Sequence, residues 1–167
     1  MITAFFYAII NFMKLNLEIN NTTKSPIRKK LLEEAVKKTL KAGGLDFLAR
    51  KYISLSIAIV GAREIKRLNK IYRKVDAATD VLSFAEYKNA EAIKRAGDNR
   101  LRQPADGGVF LGELILCYTD IREYARKNKI GLAKELANAV SHGVLHLLGM
   151  KHGKKMFEIQ ERVAHST

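Results

Sequence analysis

The 167-residue sequence predicts a single α+β domain: a mixed sheet of about four strands flanked by helices, with one central helix that bears histidines. Three observations lead there. Four short segments carry the alternating or continuously apolar patterns of strands, and segments between them repeat their apolar residues with helical period. One helical segment, 132–148, is apolar nearly all round in its C-terminal half, which marks it as enclosed by other elements. With 47% hydrophobic residues the chain can fill one core, and it is short for two domains.

Residues 1–13, MITAFFYAIINFM, are apolar and carry no charged side chain. They are too few to span a bilayer, which takes about 20 apolar residues, and they lack the basic start and small-residue cleavage site of a signal peptide. They read as an extension ahead of a domain covering 14–164, with an interfacial membrane anchor as the alternative. In KLNLEIN (14–20), Leu15, Leu17 and Ile19 alternate with polar residues, as in a half-buried strand. Ser25 and Pro26 then read as the N-cap and first position of a helix running to about Ala42. Its apolar face is Ile27, Leu31, Leu32, Ala35, Val36 and Leu40, and Gly43-Gly44 ends it. YISLSIAIV (52–60) reads as a second, buried strand.

Residues 62–74, AREIKRLNKIYRK, put Ile65, Leu68, Ile71 and Tyr72 on one side of a helix. Arg63, Lys66, Arg67, Lys70, Arg73 and Lys74 form a basic stripe on the other. Such a stripe is often only a solvated face, yet it is also the form that tracks a phosphate backbone. TDVLSF (79–84) is a short strand. Residues 86–108 carry Pro104, Gly107 and Gly108 and the cations Lys94, Arg95, Arg100 and Arg102; they read as a polar, partly mobile excursion between two neighbouring strands. GELILCY (112–118) is the next strand, and helices follow over Asp120 to Asn128, Leu132 to Leu148, and 154–164.

Three of the four histidines fall within SHGVLHLLGMKHG. His142 and His146 are four residues apart and so one helical turn apart, with Cβ atoms about 5–6 Å from each other, which suits two imidazoles converging on one Zn²⁺ ion. Gly149 is placed to take the left-handed conformation that stops the helix and turns the chain back, and His152 completes the set. The spacing is that of the metzincin peptidase pattern H-E-x-x-H-x-x-G-x-x-H, but Gly143 stands where the peptidase keeps its general base. A ligand set without that base points to three protein ligands, an open fourth position and a different chemistry. The plainer reading is a trio of core histidines. His165, in the polar tail, reads as a surface residue.

The net charge of +13 is uneven: residues 14–75 hold 16 Lys and Arg against 5 Asp and Glu, and residues 76–167 hold 14 against 12. A one-sided basic surface points to a polyanionic partner. Cys117 is the single cysteine, which excludes an internal disulfide and fits a reducing, cytoplasmic setting. Glycine-rich phosphate loops and a G-x-S-x-G elbow are missing, which removes the commonest nucleotide-binding and serine-hydrolase classes.

The segments LNKIYRKVDAATDVLSF, LGELILC and HGVLHLLGMKH, in that order and spacing, resemble the YbeY family of bacterial endoribonucleases, over about residues 14–164. The resemblance implies a sheet flanked by helices, a metal ion held by His142, His146 and His152, and action on single-stranded RNA. It further implies a role in maturing the 3′ end of small-subunit ribosomal RNA and in ribosome quality control, with the ribosome as a partner. The family's functionally important arginine falls on Arg73. Three positions depart from the family pattern: Ala78 replaces a proline, Glu113 an aspartate in the LGD motif, and Lys151 an aspartate before the third histidine.

The expected activity is that of a zinc-dependent endoribonuclease, with one Zn²⁺ held by three histidines and water. Zinc makes water nucleophilic near neutral pH, and the planar, always-charged fork of Arg73 matches phosphate oxygens. Asp80 and Glu113 are the nearest acid–base candidates by motif and read equally well as capping groups. A non-catalytic RNA-binding assembly factor with a stabilising metal would use the same surface and stays open as the alternative. No membrane partner is expected, and the oligomeric state is open.

Overall fold

The computed structural model describes residues 14–44, 47, 51–98 and 108–166. The apolar segment 1–13 and residues 99–107 of the polar excursion lie outside the described residues. Four strands, β1 (Lys14–Asn21), β2 (Tyr52–Val60), β3 (Val81–Ala85) and β4 (Gly108–Cys117), form one sheet in the order β1-β2-β4-β3. β1, β2 and β4 run parallel and β3 runs antiparallel to β4, so the sheet is mixed, as expected. Six helices accompany it among the described residues: α1 (Lys29–Ala42), α2 (Ala62–Arg73), α3 (Ala90–Asp98), α4 (Tyr118–Lys127), α5 (Leu132–Leu147) and α6 (Lys154–His165). No helix among the described residues is long and apolar enough to cross a membrane.

The two faces of the sheet are served unequally. Ile53, Leu55, Ile57 and Ile59 of β2 point into the main core, with Leu32, Ala35, Val36 and Leu40 of α1 and Val140, Val144 and Leu147 of α5. A smaller cluster on the other face joins Ile65 of α2 to Val60, Leu82, Ile115 and Cys117, with Leu68 and Phe84 packed against it. Along β4 the main-core residues are Val109 and Leu111, then Leu114 and Leu116, so the alternation changes parity at Gly112. The β2–β4 register slips there by one residue, which defines a β-bulge. Gly112 has φ +129°, and a Cβ on it would lie 2.1 Å from the Phe84 carbonyl oxygen, so only glycine fits.

α5 is enclosed as the sequence implies. Ten of its residues between Glu135 and Leu147 are buried, and His142 and His146 are the half-exposed exceptions in its last two turns. It ends in a Schellman motif: Gly149 N–H donates to the His146 carbonyl (2.9 Å), Met150 N–H donates to the Leu145 carbonyl (3.0 Å), and Gly149 has φ +77°.

Four local expectations differ from the structure. α1 starts at Lys29, because Ser25 is held in a turn: its N–H donates to Thr23 Oγ1 (3.1 Å), and its carbonyl accepts from Asn21 Nδ2 (3.0 Å) and Ile27 N–H (2.9 Å). Residues 90–98 of the excursion form α3, whose buried positions are Ile93 and Gly97 and whose end is held by Lys51 on the Gly97 carbonyl and Asp98, so little apolar patterning announces it. β4 begins four residues before GELILCY and stops before Tyr118, which opens α4. On α2 the inward side is Ile65, Leu68 and Asn69; Ile71 and Tyr72 lie outside it, 46% and 61% exposed.

Candidate metal centre

The Nε2 atoms of His142 and His146 lie 3.0 Å apart, those of His146 and His152 3.1 Å, and those of His152 and His142 3.3 Å. Two of the rings stand on a rigid helix, and the third is delivered by the turn that Gly149 makes. Gly149 has no room for a side chain, since a Cβ would lie 2.6 Å from Asn89 Cα and 2.7 Å from the Lys88 carbonyl oxygen. The segment after β3 therefore presses on the turn that sets His152.

The Nδ1 atoms of His142 and His146 are engaged as well. His142 Nδ1 lies 3.1 Å from Gln160 Oε1, and His146 Nδ1 lies 3.0 Å from the Met150 carbonyl oxygen. Oxygen acceptors at Nδ1 keep the ring proton there and turn the Nε2 lone pair inward. Gln160, on α6, donates in turn to Asn138 Oδ1 (3.0 Å), and Asn138 Nδ2 reaches Glu135 Oε1 (3.4 Å). A chain of two amides thus links His142 to a buried carboxylate. Burial, and then the charges of His142, His152 and Arg73, hold the His146 imidazole below its usual pKa, with the Met150 carbonyl opposing them.

Lone pairs facing one another at this range repel unless a cation lies between them. An ion bound tetrahedrally at 2.0–2.1 Å would space its nitrogen ligands about 3.3 Å apart. The three histidines therefore fit a metal site, and they are a grouping of potential ligands within 4.8 Å of one another.

The trio opens into a cleft of about 310 Å³ lined also by Tyr72 and Arg73 of α2 and by Val81, Leu82, Ser83 and Phe84 of β3. β3 is an edge strand, so the cleft runs over the sheet's rim and brings α5 and α2, from opposite faces, to one opening. The basic stripe is divided. Arg67 pairs bidentately with Glu64 (2.9 and 2.6 Å), while Lys66 and Lys70 both reach Asp76 (3.5 and 3.0 Å). Arg73, at the helix end, faces the cleft instead.

Asp80 and Glu113 do not line the cleft. Asp80 Oδ1 accepts from Val81 N–H (2.9 Å) and the Thr79 hydroxyl (3.1 Å), a capping role, and Glu113 sits on β4 opposite Phe84. Gly143 packs against the sheet, where a Cβ would lie 2.8 Å from Leu114 Cδ2 and 3.2 Å from Ser83 Oγ. A peptidase's glutamate has no space there. His165 is exposed on α6, 3.8 Å from Glu161.

Sequence reasoning missed Gln160, Asn138 and the Met150 carbonyl as supports, and Tyr72, Ser83 and Phe84 as cleft residues. One signal was available: Gln160 is a lone amide among the buried Met156, Ile159 and Val163 of α6.

Three histidines converging beside the edge of a mixed α+β sheet, with an arginine on the same cleft, define a protein with a candidate metal site. Comparison with known proteins narrows the class. The profile of the family described as endoribonuclease YbeY matches residues 18–167, and the chain belongs to that family. Endoribonuclease YbeY of Dehalococcoides mccartyi is 37% identical over 158 residues, covering 92% of this chain and 87% of the relative. Endoribonuclease YbeY of Oceanobacillus iheyensis is 35% identical over 130 residues, with 71% and 80% covered. The solution structure of TM1509 from Thermotoga maritima superposes with a TM-score of 0.56 at 28% identity, covering 90% of this chain and 87% of that one.

Proposed function

We infer that this protein is a metal-dependent, single-strand-specific endoribonuclease that matures the 3′ end of small-subunit ribosomal RNA and serves ribosome quality control in the cytoplasm, with the ribosome as its partner. The observation that carries the reading is the meeting of three Nε2 atoms within 3.0–3.3 Å in the cleft that Arg73 flanks. His142, His146 and His152 would hold the ion, and zinc, which three imidazoles with an open position commonly bind in catalytic sites, is the metal we assign. When bound, such an ion supplies Lewis acidity toward water and phosphoryl oxygen. Arg73 binds the scissile phosphate through its planar fork and stabilises the charge that builds up on the phosphoryl oxygens. Gln160 and the Met150 carbonyl keep the first two imidazoles in the tautomer that offers Nε2.

The test is cleavage of single-stranded RNA by metal-loaded protein, with His142→Ala and Arg73→Ala in parallel. Cleavage that stops with His142→Ala and on chelation supports the reading. Binding without cleavage by the loaded wild type would assign the protein as an assembly factor instead.

A further inference from the structure

We propose that Tyr72 and Phe84 form a stacking platform for an unpaired nucleobase next to the phosphate held by Arg73. This deepens the RNA reading and rests on it. Tyr72 is 61% exposed although it is an aromatic residue on a helix whose other faces have apolar or charged work. Its ring meets Phe84 edge to face, with centroids 4.9 Å apart and planes at 74°. Phe84 is half-buried on β3 and packs against the cluster beneath α2, so the pair is a fixed corner mounted on the sheet. Both rings line the histidine cleft, and Arg73 follows Tyr72 directly in the chain.

The corner has an apolar floor, a phenol edge and an adjacent guanidinium. A flat, weakly polar group joined to an anion suits it, and a nucleotide is that object. Every base offers a π-face, so the platform selects for bases that are unstacked and free to turn out, without reading sequence. A duplex keeps its bases inside and gains nothing from these rings. The pair thereby supplies a physical basis for preferring single strands, which charge alone does not.

The probe is a short fluorescein-labelled single-stranded RNA, set beside a strand of the same length and charge whose bases are all replaced by hydrogen. Fluorescence anisotropy with the metal-free full chain reads binding without cleavage. Wild type should prefer the base-bearing strand by about 5- to 150-fold, the range of a single aromatic stack. Tyr72→Ala should bring the affinity for that strand toward that of the base-free one, Tyr72→Phe should retain the preference, and Arg73→Ala should weaken both strands alike. Phe157 is the comparison ring, 52% exposed and parallel to His152 at 6.2 Å, yet outside the cleft. Phe157→Ala should keep the preference. The platform is overturned if wild type binds both strands equally, if Tyr72→Ala weakens both by the same factor, or if the preference is lost with Phe157→Ala and kept with Tyr72→Ala. Failure of the nuclease reading is seen separately, as absent cleavage in the metal-loaded wild type with the base preference intact.

Discussion

Gln160 gives the sharpest mutational test of the metal centre. Gln160→Leu keeps the side chain's approximate volume and removes both of its hydrogen bonds, to His142 Nδ1 at 3.1 Å and to Asn138 Oδ1 at 3.0 Å. Gln160 is 8% exposed, so no water simply replaces it from outside. His142 and Asn138 are themselves half-exposed and can turn toward solvent, which puts the stability cost at the low end of that for a lost buried partner, about 1–2 kcal/mol. The metal should suffer more. Without its acceptor the His142 ring is free to rotate and to carry its proton on Nε2, and loss of such a partner typically lowers metal affinity about 10- to 100-fold, or about 1.4–2.7 kcal/mol. Competition against a chromogenic chelator at neutral pH measures this directly. Gln160→Glu is the opposing variant: a carboxylate raises the basicity of the imidazole and should tighten the metal, while its burial lowers the melting temperature of the metal-free protein. A Leu variant that binds zinc within about threefold of wild type would refute the claim that this amide sets the tautomer.

Three other outcomes follow. Gly149→Ala combines a positive φ with contact against the backbone of residues 88 and 89, and should lose about 2–5 kcal/mol in urea denaturation; an unchanged midpoint would contradict the packing. Arg73→Ala should lower the turnover of RNA about 10²- to 10³-fold while leaving bound metal within about twofold, read by cleavage kinetics and metal analysis together. Burial, reinforced by Asp80 and opposed by the Asn138 hydrogen bond, holds the Glu135 carboxyl above its usual pKa. A carboxyl raised in the fold costs stability once pH climbs past its unfolded value of about 4.3, and the cost is complete above the folded value. Glu135→Gln should therefore melt higher than wild type at pH 7–8, with the gap closing toward pH 4; a gap constant with pH would show that the charge is not its source.

What the sequence made legible follows the range of the interactions concerned. The histidine trio is local: helical periodicity aligns His142 with His146, and a glycine stop brings His152 back, so spacing alone carries the geometry. β2 and the enclosed half of α5 were equally plain, because apolar residues fill most of their positions. Contacts made across the fold were not. Tyr72 shares a helical face with Ile65 and Leu68 by angle, but α2 ends at the sheet's rim, and whether a ring there is covered depends on how far β3 extends beneath it. Gln160 and Asn138 meet from helices whose packing no single stretch encodes. Ser25-Pro26 has the composition of a cap, and its neighbours Asn21 and Thr23 compete for the same groups. Gly143 reads as a missing base until Leu114 is seen against it.

The bulge at Gly112 ties the cleft to the length of the chain as well as to its chemistry. All of β3 pairs with the stretch of β4 from Gly112 onward, Ala85 opposite Gly112 and Val81 opposite Leu116. Were β4 to run as a regular strand at its present length, Leu114 and Leu116 would turn away from α5, and Glu113 and Ile115 would rotate into their place. Deleting the one extra residue would instead restore plain alternation and keep both leucines inward. With the full-length strand straightened, β3, paired to it from Ala85 to Val81, would turn over as well, leaving three intact histidines above an inverted surface.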